Sequence, residues 1–371
     1  MTAKKTVLKV LSLALVLVFA AFLAACEKDP PPENWTWTAV ADSTVWETYY
    51  NDGSKRINNI YGVAWSNNRW VAVGGQGKIA YSTDNGVTWT AVADSTGFSY
   101  INAIACSSNR FVAVGQSGKI AYSADNGATW TAVTNSTFGT SDIRAVAYGG
   151  GRFVAVGSQG KMAYSADNGA NWTAVTNNST IWDYTDSWGD PSPSMAGIEA
   201  VAYGNGRFVA VGGHGKMAYS DDNGVTWTAV TNNSTIWDYT GYIIDNEAVK
   251  AVTSKASIEA VAYGNGRFVA VGYQGEMAYS ADNGVTWTAV SNGTLYGNIA
   301  VAYGGGRFVA VGSQGKMAYS ADNGENWTAV ADSKFPSTNS DGNSFSISAI
   351  AYGNGRFVAV GQEGKMAYAD W

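Results

Sequence analysis

Aromatic side chains suited to ligand recognition are concentrated in three long segments that separate repeats in this sequence. The segments cover residues 41–59, 176–197 and 231–257. Trp and Tyr present a flat apolar surface with a polar group, which suits sugar rings and protein surfaces. The candidate ligand-binding residues in the two longest segments are Trp182, Tyr184, Trp188, Trp237 and Tyr239.

Packing is the alternative role for some of these tryptophans. The phrase Ser-Thr-x-Trp recurs near the start of all three segments and places Trp46, Trp182 and Trp237 at equivalent points. Such regularity favours rings that fold back over the repeats. At the level of sequence both interpretations stay open.

A second group of candidates occupies one variable position in an otherwise near-identical repeat. This position is the second residue of the strand that begins each unit, and it holds Tyr61, Asn102, Arg144, Glu199, Glu259, Ile299 and Ser348. We expect these residues to ring the mouth of a central channel, where variation is typical of a functional surface. Tyr61, Arg144, Glu199 and Glu259 are the ligand candidates, and drift in a solvated channel is the alternative.

The Gly-x-x-Gly loops of the repeat supply two further candidates, His214 and Tyr273. His214 is the single histidine of the chain, and no Cys, Asp or second His lies at ligand spacing from it. A lone histidine makes a poor metal site. The sequence therefore predicts neither a metal nor a cofactor.

Internal repetition must position all of these residues. The phrase Arg-Phe-Val-Ala-Val-Gly, with Trp for Phe in the first copy, occurs seven times, beginning at Arg69, Arg110, Arg152, Arg207, Arg267, Arg307 and Arg356. The phrase Trp-Thr-Ala-Val also occurs seven times, beginning at Trp37, Trp89, Trp130, Trp172, Trp227, Trp287 and Trp327. Because Trp37 precedes Arg69, the two series are out of phase by part of one repeat.

Each full unit is predicted to form four short strands. In one unit these are residues 198–203, 207–211, 216–220 and 227–230, separated by turns that contain Gly-Asn-Gly, Gly-Gly-His-Gly and Asp-Asn-Gly. Asn-Gly between short apolar stretches is a strong hairpin signal because both residues tolerate positive φ. Four antiparallel strands in roughly 40 residues are typical of a propeller blade.

The phase offset predicts how the ring closes. The last unit begins at Ile347 and lacks its fourth strand, whereas residues 37–40 form a fourth strand without a unit. Pairing them leaves no open edge. A linear solenoid would leave 37–40 unpaired and would need polar capping units. We therefore expect an all-β fold, a seven-bladed β-propeller of four-stranded antiparallel blades, over residues 34–371.

The turn between the third and fourth strands, here called the Asp turn, has the pattern Ser-x-Asp-x-Gly-x-x-Trp. Its six copies contain Asp84, Asp125, Asp167, Asp222, Asp282 and Asp322. The pattern resembles the Asp-box, or BNR, repeat, and the resemblance covers residues 34–371. That family includes sialidases and other glycosidases, photosystem assembly factors and many binding propellers, so the resemblance implies a fold rather than one function.

The Asp turns are interpreted as structural. Their carboxylates can accept backbone N–H groups across the turn, their Gly supplies a positive φ and their Trp packs between blades. The seven Arg residues are expected to pair with an Asp-turn carboxylate or carbonyl on the adjacent third strand. The seventh unit has Asn34 in place of Gly and Ala369 in place of Ser, so its join is expected to be looser.

The first 25 residues have the parts of a secretory signal. Three lysines precede an apolar run at residues 10–23, which is shorter than the roughly 20 residues of a spanning helix. Leu-Ala-Ala-Cys, ending at Cys26, resembles the bacterial lipobox, and this implies cleavage before Cys26 and its lipidation. An uncleaved anchor helix is the alternative. Residues 26–33 are predicted to be a lipidated cysteine with a Pro-rich spacer.

Charge and cysteine content exclude several classes of function. The net charge of −6 argues against nucleic acid as a partner, because nucleic acid binding requires a basic patch. The two cysteines, Cys26 and Cys106, make no disulfide framework. Cys106 is expected to be a buried apolar residue rather than a nucleophile.

Three functions are compatible with this pattern. The first is an exported, lipid-anchored binding protein, periplasmic or on the cell surface. We expect it to be monomeric, to contact the membrane through its anchor alone and to bind a glycan or an envelope protein. The second is a sialidase-like glycoside hydrolase, for which Glu199 or Glu259 with a loop Tyr would imitate the nucleophile pair. Retaining sialidases use three convergent arginines, and only Arg144 and Arg56 are expected near that face. The third is a structural or assembly scaffold.

Overall fold

The computed structural model describes residues 36–41, 44–49, 52–93, 96–177, 181–183, 196–231, 236–245, 248–273, 275–290, 295 and 297–370. These residues form 32 β-strands and five short 3₁₀ turns, and none of them lies in an α-helix. The predicted all-β fold class is confirmed.

In chain order the strands are β1 (Thr38–Ala39), β2 (Glu47–Tyr49), β3 (Lys55–Ile57), β4 (Ile60–Ser66), β5 (Arg69–Gly74), β6 (Ile79–Ser82), β7 (Thr90–Ala91), β8 (Ile101–Cys106), β9 (Phe111–Gly115), β10 (Ile120–Ser123), β11 (Thr131–Ala132), β12 (Ile143–Gly149), β13 (Arg152–Gly157), β14 (Met162–Ser165), β15 (Thr173–Ala174), β16 (Ile198–Gly204), β17 (Arg207–Gly212), β18 (Met217–Ser220), β19 (Thr228–Ala229), β20 (Asp238–Asp245), β21 (Ala248–Lys255), β22 (Ile258–Gly264), β23 (Arg267–Gly272), β24 (Met277–Ser280), β25 (Thr288–Val290), β26 (Asn298–Gly304), β27 (Arg307–Gly312), β28 (Met317–Ser320), β29 (Thr328–Ala329), β30 (Ile347–Gly353), β31 (Arg356–Gly361) and β32 (Met366–Asp370). The 3₁₀ turns are Thr44–Trp46, Gln116–Gly118, Ser158–Gly160, Gly213–Gly215 and Gln362–Gly364.

These strands form seven four-stranded antiparallel sheets, which we number as blades 1 to 7. Blades 1 to 4 are β4–β7, β8–β11, β12–β15 and β16–β19; blades 5 and 6 are β22–β25 and β26–β29; blade 7 is β30–β32 with β1. The innermost strands contact one another in the order β4, β8, β12, β16, β22, β26, β30 and back to β4. The predicted seven-bladed propeller is therefore confirmed.

Tight turns determine the strand order inside each blade. Between β16 and β17, Asn205 and Gly206 have φ values of +47° and +81°, and Gly204 pairs with Arg207 across the turn. Positive φ at both central residues defines the hairpin turn whose twist matches antiparallel strands. The Asn-Gly signal of the sequence thus forms the hairpin that it predicts.

The second strand of each blade lies between two neighbouring blades, so both of its faces are apolar. In β17, Phe208 and Ala210 pack with Val154 of blade 3, whereas Val209 packs with Phe268 of blade 5. Burial on both faces replaces the usual alternation of apolar and polar residues by a continuous apolar run. The sequence Arg-Phe-Val-Ala-Val-Gly is the result.

The ring closes through a strand from the other end of the propeller. Thr38 pairs with Tyr368 and Ala39 with Ala367, and the Val40 amide donates a 2.9 Å hydrogen bond to the Met366 carbonyl. Blade 7 therefore has a fourth strand, which the offset of the two repeat series predicts. The solenoid alternative is wrong.

Two of the long segments between blades contain a hairpin that sequence reasoning did not predict. β2 pairs with β3 before blade 1, and β20 pairs with β21 along eight residues each before blade 5. The strands of the second hairpin are rich in Tyr, Ile, Val and Thr, which favour extended backbone. Pairing satisfies their backbone polar groups outside the ring.

Candidate functional site

Each innermost strand has a β-bulge at its second residue. In blade 4 the ladder pairs Ile198 with Gly212 and Ala200 with Val211, so Glu199 is skipped. A bulge leaves one residue outside the ladder and re-aims its side chain. The same irregularity in all seven blades falls on Tyr61, Asn102, Arg144, Glu199, Glu259, Ile299 and Ser348. The position that varies in sequence is therefore the one that the sheet does not constrain.

Four of these bulge residues line one open cavity of about 340 Å³. Its walls are the side chains of Asn102, Gln116, Asp142, Arg144, Glu199 and Glu259. All six side chains are polar or charged, and they come from blades 2 to 5. We call this cavity the mouth cavity. It brings together three of the four ligand candidates predicted at this position, whereas Tyr61 does not line it.

An ion pair crosses the mouth cavity between blades 3 and 4. Nη1 of Arg144 contacts Oε1 of Glu199, with the two side chains 39% and 19% exposed. The guanidinium lies over the backbone of Gly197, where a Cβ atom would overlap it. Glycine at this position therefore leaves room for Arg144 to reach the next blade.

The remaining lining residues differ in how they are held. Nδ2 of Asn102 donates a 2.8 Å hydrogen bond to the Ile143 carbonyl of blade 3. Oδ1 of Asp142 accepts a 2.8 Å hydrogen bond from the Ser117 amide. Glu259 makes neither a hydrogen bond nor an ion pair with any residue that the structure describes. One carboxylate of the mouth cavity is thus unpaired within the described chain.

The aromatic candidates need correction. Trp182 and Trp237 are 0% exposed, as is Trp46, so their rings are closed to a ligand. Each carbonyl accepts a backbone hydrogen bond from the far end of its segment: Asn58 for Trp46, Ala196 for Trp182 and Ala256 for Trp237. Of the two interpretations, packing is the correct one for these three rings, because each fills the apolar space between two blades.

The other aromatic candidates have different positions. Tyr184 and Trp188 lie outside the described residues, and Tyr239 lies in β20 with its side chain outside them. Tyr273 is 59% exposed in the turn that follows β23. Tyr61 is half-buried, and its ring centroid is 6.3 Å from that of Tyr100.

His214 lies in an exposed turn at φ +56°. Partial burial of the imidazole, and then the charge of Lys216, lower its pKa. Within the described ranges, no group of three His, Cys, Asp or Glu side chains could hold a metal ion. His214 is not a lining residue of the mouth cavity.

The Asp turns have the bonding expected of a structural motif. In blade 2, Oδ1 of Asp125 accepts the Thr129 amide at 2.8 Å and the Ser123 hydroxyl at 2.7 Å, while the Gly127 amide donates to that hydroxyl oxygen. Burial raises the pKa of Asp125, but hydrogen bonds from Thr129 and Ser123 outweigh it and hold the pKa at about 2. The Trp130 indole donates to the Gly127 carbonyl at 3.3 Å. The carboxylate is occupied by its own turn.

The predicted partners of the repeated arginines are partly confirmed. Arg207 pairs with the Asp221 carboxylate and Arg356 with the Asp370 carboxylate of the same blade, whereas the Asp-turn carbonyl that the arginines bind belongs to the next blade. Nη1 of Arg69 donates a 3.0 Å hydrogen bond to the Asn126 carbonyl, which belongs to the Asp turn of the next blade rather than to the adjacent strand. Its guanidinium also lies 4.4 Å from the ring centroid of Tyr81. The same link to the following blade is made by Arg110, Arg152, Arg207, Arg267 and Arg356. These side chains hold the ring together and face away from the mouth cavity.

Cys106 is half-buried, and Sγ contacts the Trp65 carbonyl at 3.0 Å. Burial raises the pKa of its thiol to about 11, which makes it a poor nucleophile at neutral pH. The predicted leader, with Cys26, lies outside the described residues. In the part of the chain that is described, no helix has the length and apolar character needed to cross a membrane.

Comparison with known proteins supports the propeller fold. A family model described as the DUF6242 beta propeller domain matches residues 33–241 and 244–368. No curated protein sequence matches the chain. Among solved structures, the chain is similar to YCF48 bound to D1 peptide (15% identity, TM-score 0.63, 92% of this chain and 98% of that one).

Two further structures share the fold. YCF48 from Cyanidioschyzon merolae has 17% identity and a TM-score of 0.63, covering 90% of this chain and 98% of that one. The GH74 xyloglucanase from Xanthomonas campestris has 15% identity and a TM-score of 0.60, covering 90% of this chain and 53% of that one. At these identities the likeness extends to the architecture alone.

Proposed function

This chain belongs to the family described as the DUF6242 beta propeller domain, and from that premise we propose that it is a binding protein whose mouth cavity receives part of a partner protein. The observation that carries the proposal is the mouth cavity itself. Four of its six lining residues sit at bulges, where the side chain is released from the sheet. Binding sites are typically concave places where a few polar groups converge.

A protein ligand is favoured over a glycan. Trp and Tyr offer flat apolar faces that suit sugar rings, but of the aromatic candidates in the long segments, the two whose side chains the structure describes, Trp182 and Trp237, are buried. The lining of the mouth cavity is polar and charged instead. The similar structure of YCF48 was determined with a D1 peptide, which supports a peptide-like ligand for this shared architecture.

Glycoside hydrolysis is a second candidate, because Glu199 and Glu259 line one cavity and a GH74 xyloglucanase has a similar fold. Against it, Glu199 is paired with Arg144, which is the one arginine of the described lining. A retaining sialidase would need three such arginines. Release of fluorophore from a sialoside or another fluorogenic glycoside, lost in Glu259→Gln, would favour this candidate over binding alone.

We propose further that residues 1–25 are a signal peptide and that Cys26 carries lipid. The sequence Leu-Ala-Ala-Cys supports this proposal. In a bacterial host the chain should incorporate labelled palmitate and remain with membranes, while Cys26→Ser should lose the label. Equal labelling of both proteins would contradict lipidation at Cys26.

The binding proposal is tested by photo-crosslinking in cells. A crosslinking amino acid replaces Gln116 at the mouth cavity or Val87 in the Asp turn of blade 1, which is at the opposite end of the strands. We expect a discrete protein adduct from position 116 and none from 87. Identical adducts from the two positions, or none from 116, would overturn the proposal.

A further inference from the structure

Most charged side chains of the repeat are held by partners inside the ring. Asp125 illustrates the six Asp turns, whose carboxylates accept hydrogen bonds from their own turn. Arg69 illustrates the arginines that bind the neighbouring blade. Glu259 differs, because it lines the mouth cavity and makes no hydrogen bond or ion pair within the described residues. Within the described residues its carboxylate is therefore open to an incoming group.

The mouth cavity as a whole is negative. Asp142, Glu199 and Glu259 contribute three carboxylates and Arg144 one guanidinium, which gives the lining a formal charge of −2 at pH 7. A concave surface lined mainly by one sign of charge concentrates such a field. Because Arg144 pairs with Glu199, the uncompensated charge is that of Asp142 and Glu259. Asp142 accepts a hydrogen bond from the neutral Ser117 amide, whereas Glu259 has no partner among the described residues.

The Arg144–Glu199 pair shows how this ring satisfies a bulge carboxylate. A cation on the bulge of one blade reaches the carboxylate on the bulge of the next blade. One blade further on, Glu259 is the carboxylate, and the bulge residue that would have to supply its cation is Glu199. A carboxylate cannot act as that donor. Blades 4 and 5 both have a glutamate at the bulge, but only the glutamate of blade 4 has an arginine at the bulge of the preceding blade.

We infer that the mouth cavity binds the side chain of a lysine or arginine on the partner protein, with Glu259 as its carboxylate. This rests on the proposed function and specifies the chemistry of its ligand. A volume of about 340 Å³ admits one extended side chain rather than a folded element. Arg144 already occupies Glu199, so the incoming cation completes a second pair beside the first.

The surroundings of Glu259 extend this contact beyond one side chain. The β20–β21 hairpin leaves the ring at Trp237 and returns at Ala256, just before β22, which holds Glu259. Tyr273, in the turn that follows β23 in the same blade, is 59% exposed. The β20–β21 hairpin and the Tyr273 ring therefore lie on the same side of blade 5 as the Glu259 carboxylate.

The test uses a fluorescein-labelled peptide of alternating Gly and Ser with one central lysine, and its counterpart with acetyl-lysine. Acetylation removes the charge and keeps the length. Binding to the propeller is measured by fluorescence anisotropy at low and high salt. We expect the lysine peptide to bind at least about tenfold more tightly than the acetyl-lysine peptide, with a loss at high salt.

Three variants distinguish binding in the mouth cavity from attraction of the peptide to the net negative charge of the protein. Glu259→Gln should weaken lysine-peptide binding about tenfold. Arg144→Gln should strengthen it several-fold, because it frees Glu199 and removes a repelling charge. Asp341→Asn deletes a carboxylate outside the cavity and should change binding less than about twofold.

The results distinguish a failure of the cation inference from a failure of the proposed function. Equal effects of Glu259→Gln and Asp341→Asn, or weaker binding by Arg144→Gln, would overturn the inference. Adducts from position 116 together with equal binding of both peptides would leave a protein-binding cavity whose ligand is not cationic. Absence of those adducts would remove the proposed function itself.

Discussion

Arg356 of blade 7 donates a 2.7 Å hydrogen bond from Nη1 to the carbonyl oxygen of Asn85 in blade 1, a residue 271 positions earlier in the chain. The guanidinium also pairs with Asp370 and lies 3.9 Å from the ring centroid of Tyr368. Arg356 is 9% exposed. The last blade is thereby attached to the first through a side chain as well as through the β1–β32 ladder.

Arg356→Met should lower the free energy of unfolding by about 1–3 kcal/mol, because it removes part-buried hydrogen bonds and a cation–π contact at the closure of the ring. Arg152→Met is the matched control, since Arg152 also lies over a tyrosine ring, that of Tyr164, but among the described residues makes one 3.5 Å hydrogen bond, to the Asp222 carbonyl. Its effect should be smaller. Denaturant unfolding measures both, and equal shifts of the midpoint would contradict a special role for Arg356.

Trp237→Ala should cost about 3–5 kcal/mol of stability, because it empties a fully enclosed site between blades 4 and 5. Tyr273→Ala, on the same face but exposed, should stay within about 0.5 kcal/mol. Thermal unfolding of the two variants tests the buried position of Trp237. A small loss for Trp237→Ala would place its ring at the surface and restore it as a ligand candidate.

Gly149→Ala should destabilise the propeller by about 1–3 kcal/mol through overpacking. A Cβ at this position would overlap the ring of Tyr203 in the next blade, although φ at Gly149 is not in the left-handed region. The equivalent boundary between blades 1 and 2 has a different pair. Ser66 stands at the position of Gly149, and Cys106 stands at the position of Tyr203.

Combining Gly149→Ala with Tyr203→Cys should therefore cost less than the sum of the single changes. A double-mutant cycle, measured by denaturant unfolding, gives the coupling directly. Strict additivity would show that the Tyr203 ring does not require glycine at position 149.

Acid should destabilise the ring as the Asp turns protonate. The folded-state pKa of Asp125 is about 2, below an unfolded value of about 3.9. A depressed folded pKa contributes stability above the unfolded pKa, and this stability is lost as the pH falls through the folded pKa. The unfolding temperature of the wild type should therefore fall between about pH 4 and pH 2.

Asp125→Asn should flatten this pH dependence in proportion to one turn of six. Asp341→Asn, whose carboxylate accepts no hydrogen bond from the described residues, should leave the curve parallel to that of the wild type. Melting curves across this pH range provide the measurement. Identical slopes for Asp125→Asn and the wild type would rule out the turn carboxylate as the source.

The sequence by itself determined the architecture, because a propeller blade is built from local hairpins. Asn205-Gly206 specifies a turn within a few residues of the strands that it joins. The apolar run that begins at Arg207 indicates a strand that is buried on both faces. The position of Trp37 before Arg69 indicates that the ring closes through an N-terminal strand. Each of these signals depends on near neighbours or on the count of repeats, so no distant contact had to be known.

Only the tertiary structure decided which side chains face a ligand. The residue type alone does not show whether the rings of Trp182 and Trp237 are buried, because their burial depends on the space between two blades. The pairing of Arg144 with Glu199 spans 55 residues and needs the bulges that aim both side chains across one blade boundary. Contacts between blades arise from the geometry of the ring, and spacing along the chain does not encode that geometry.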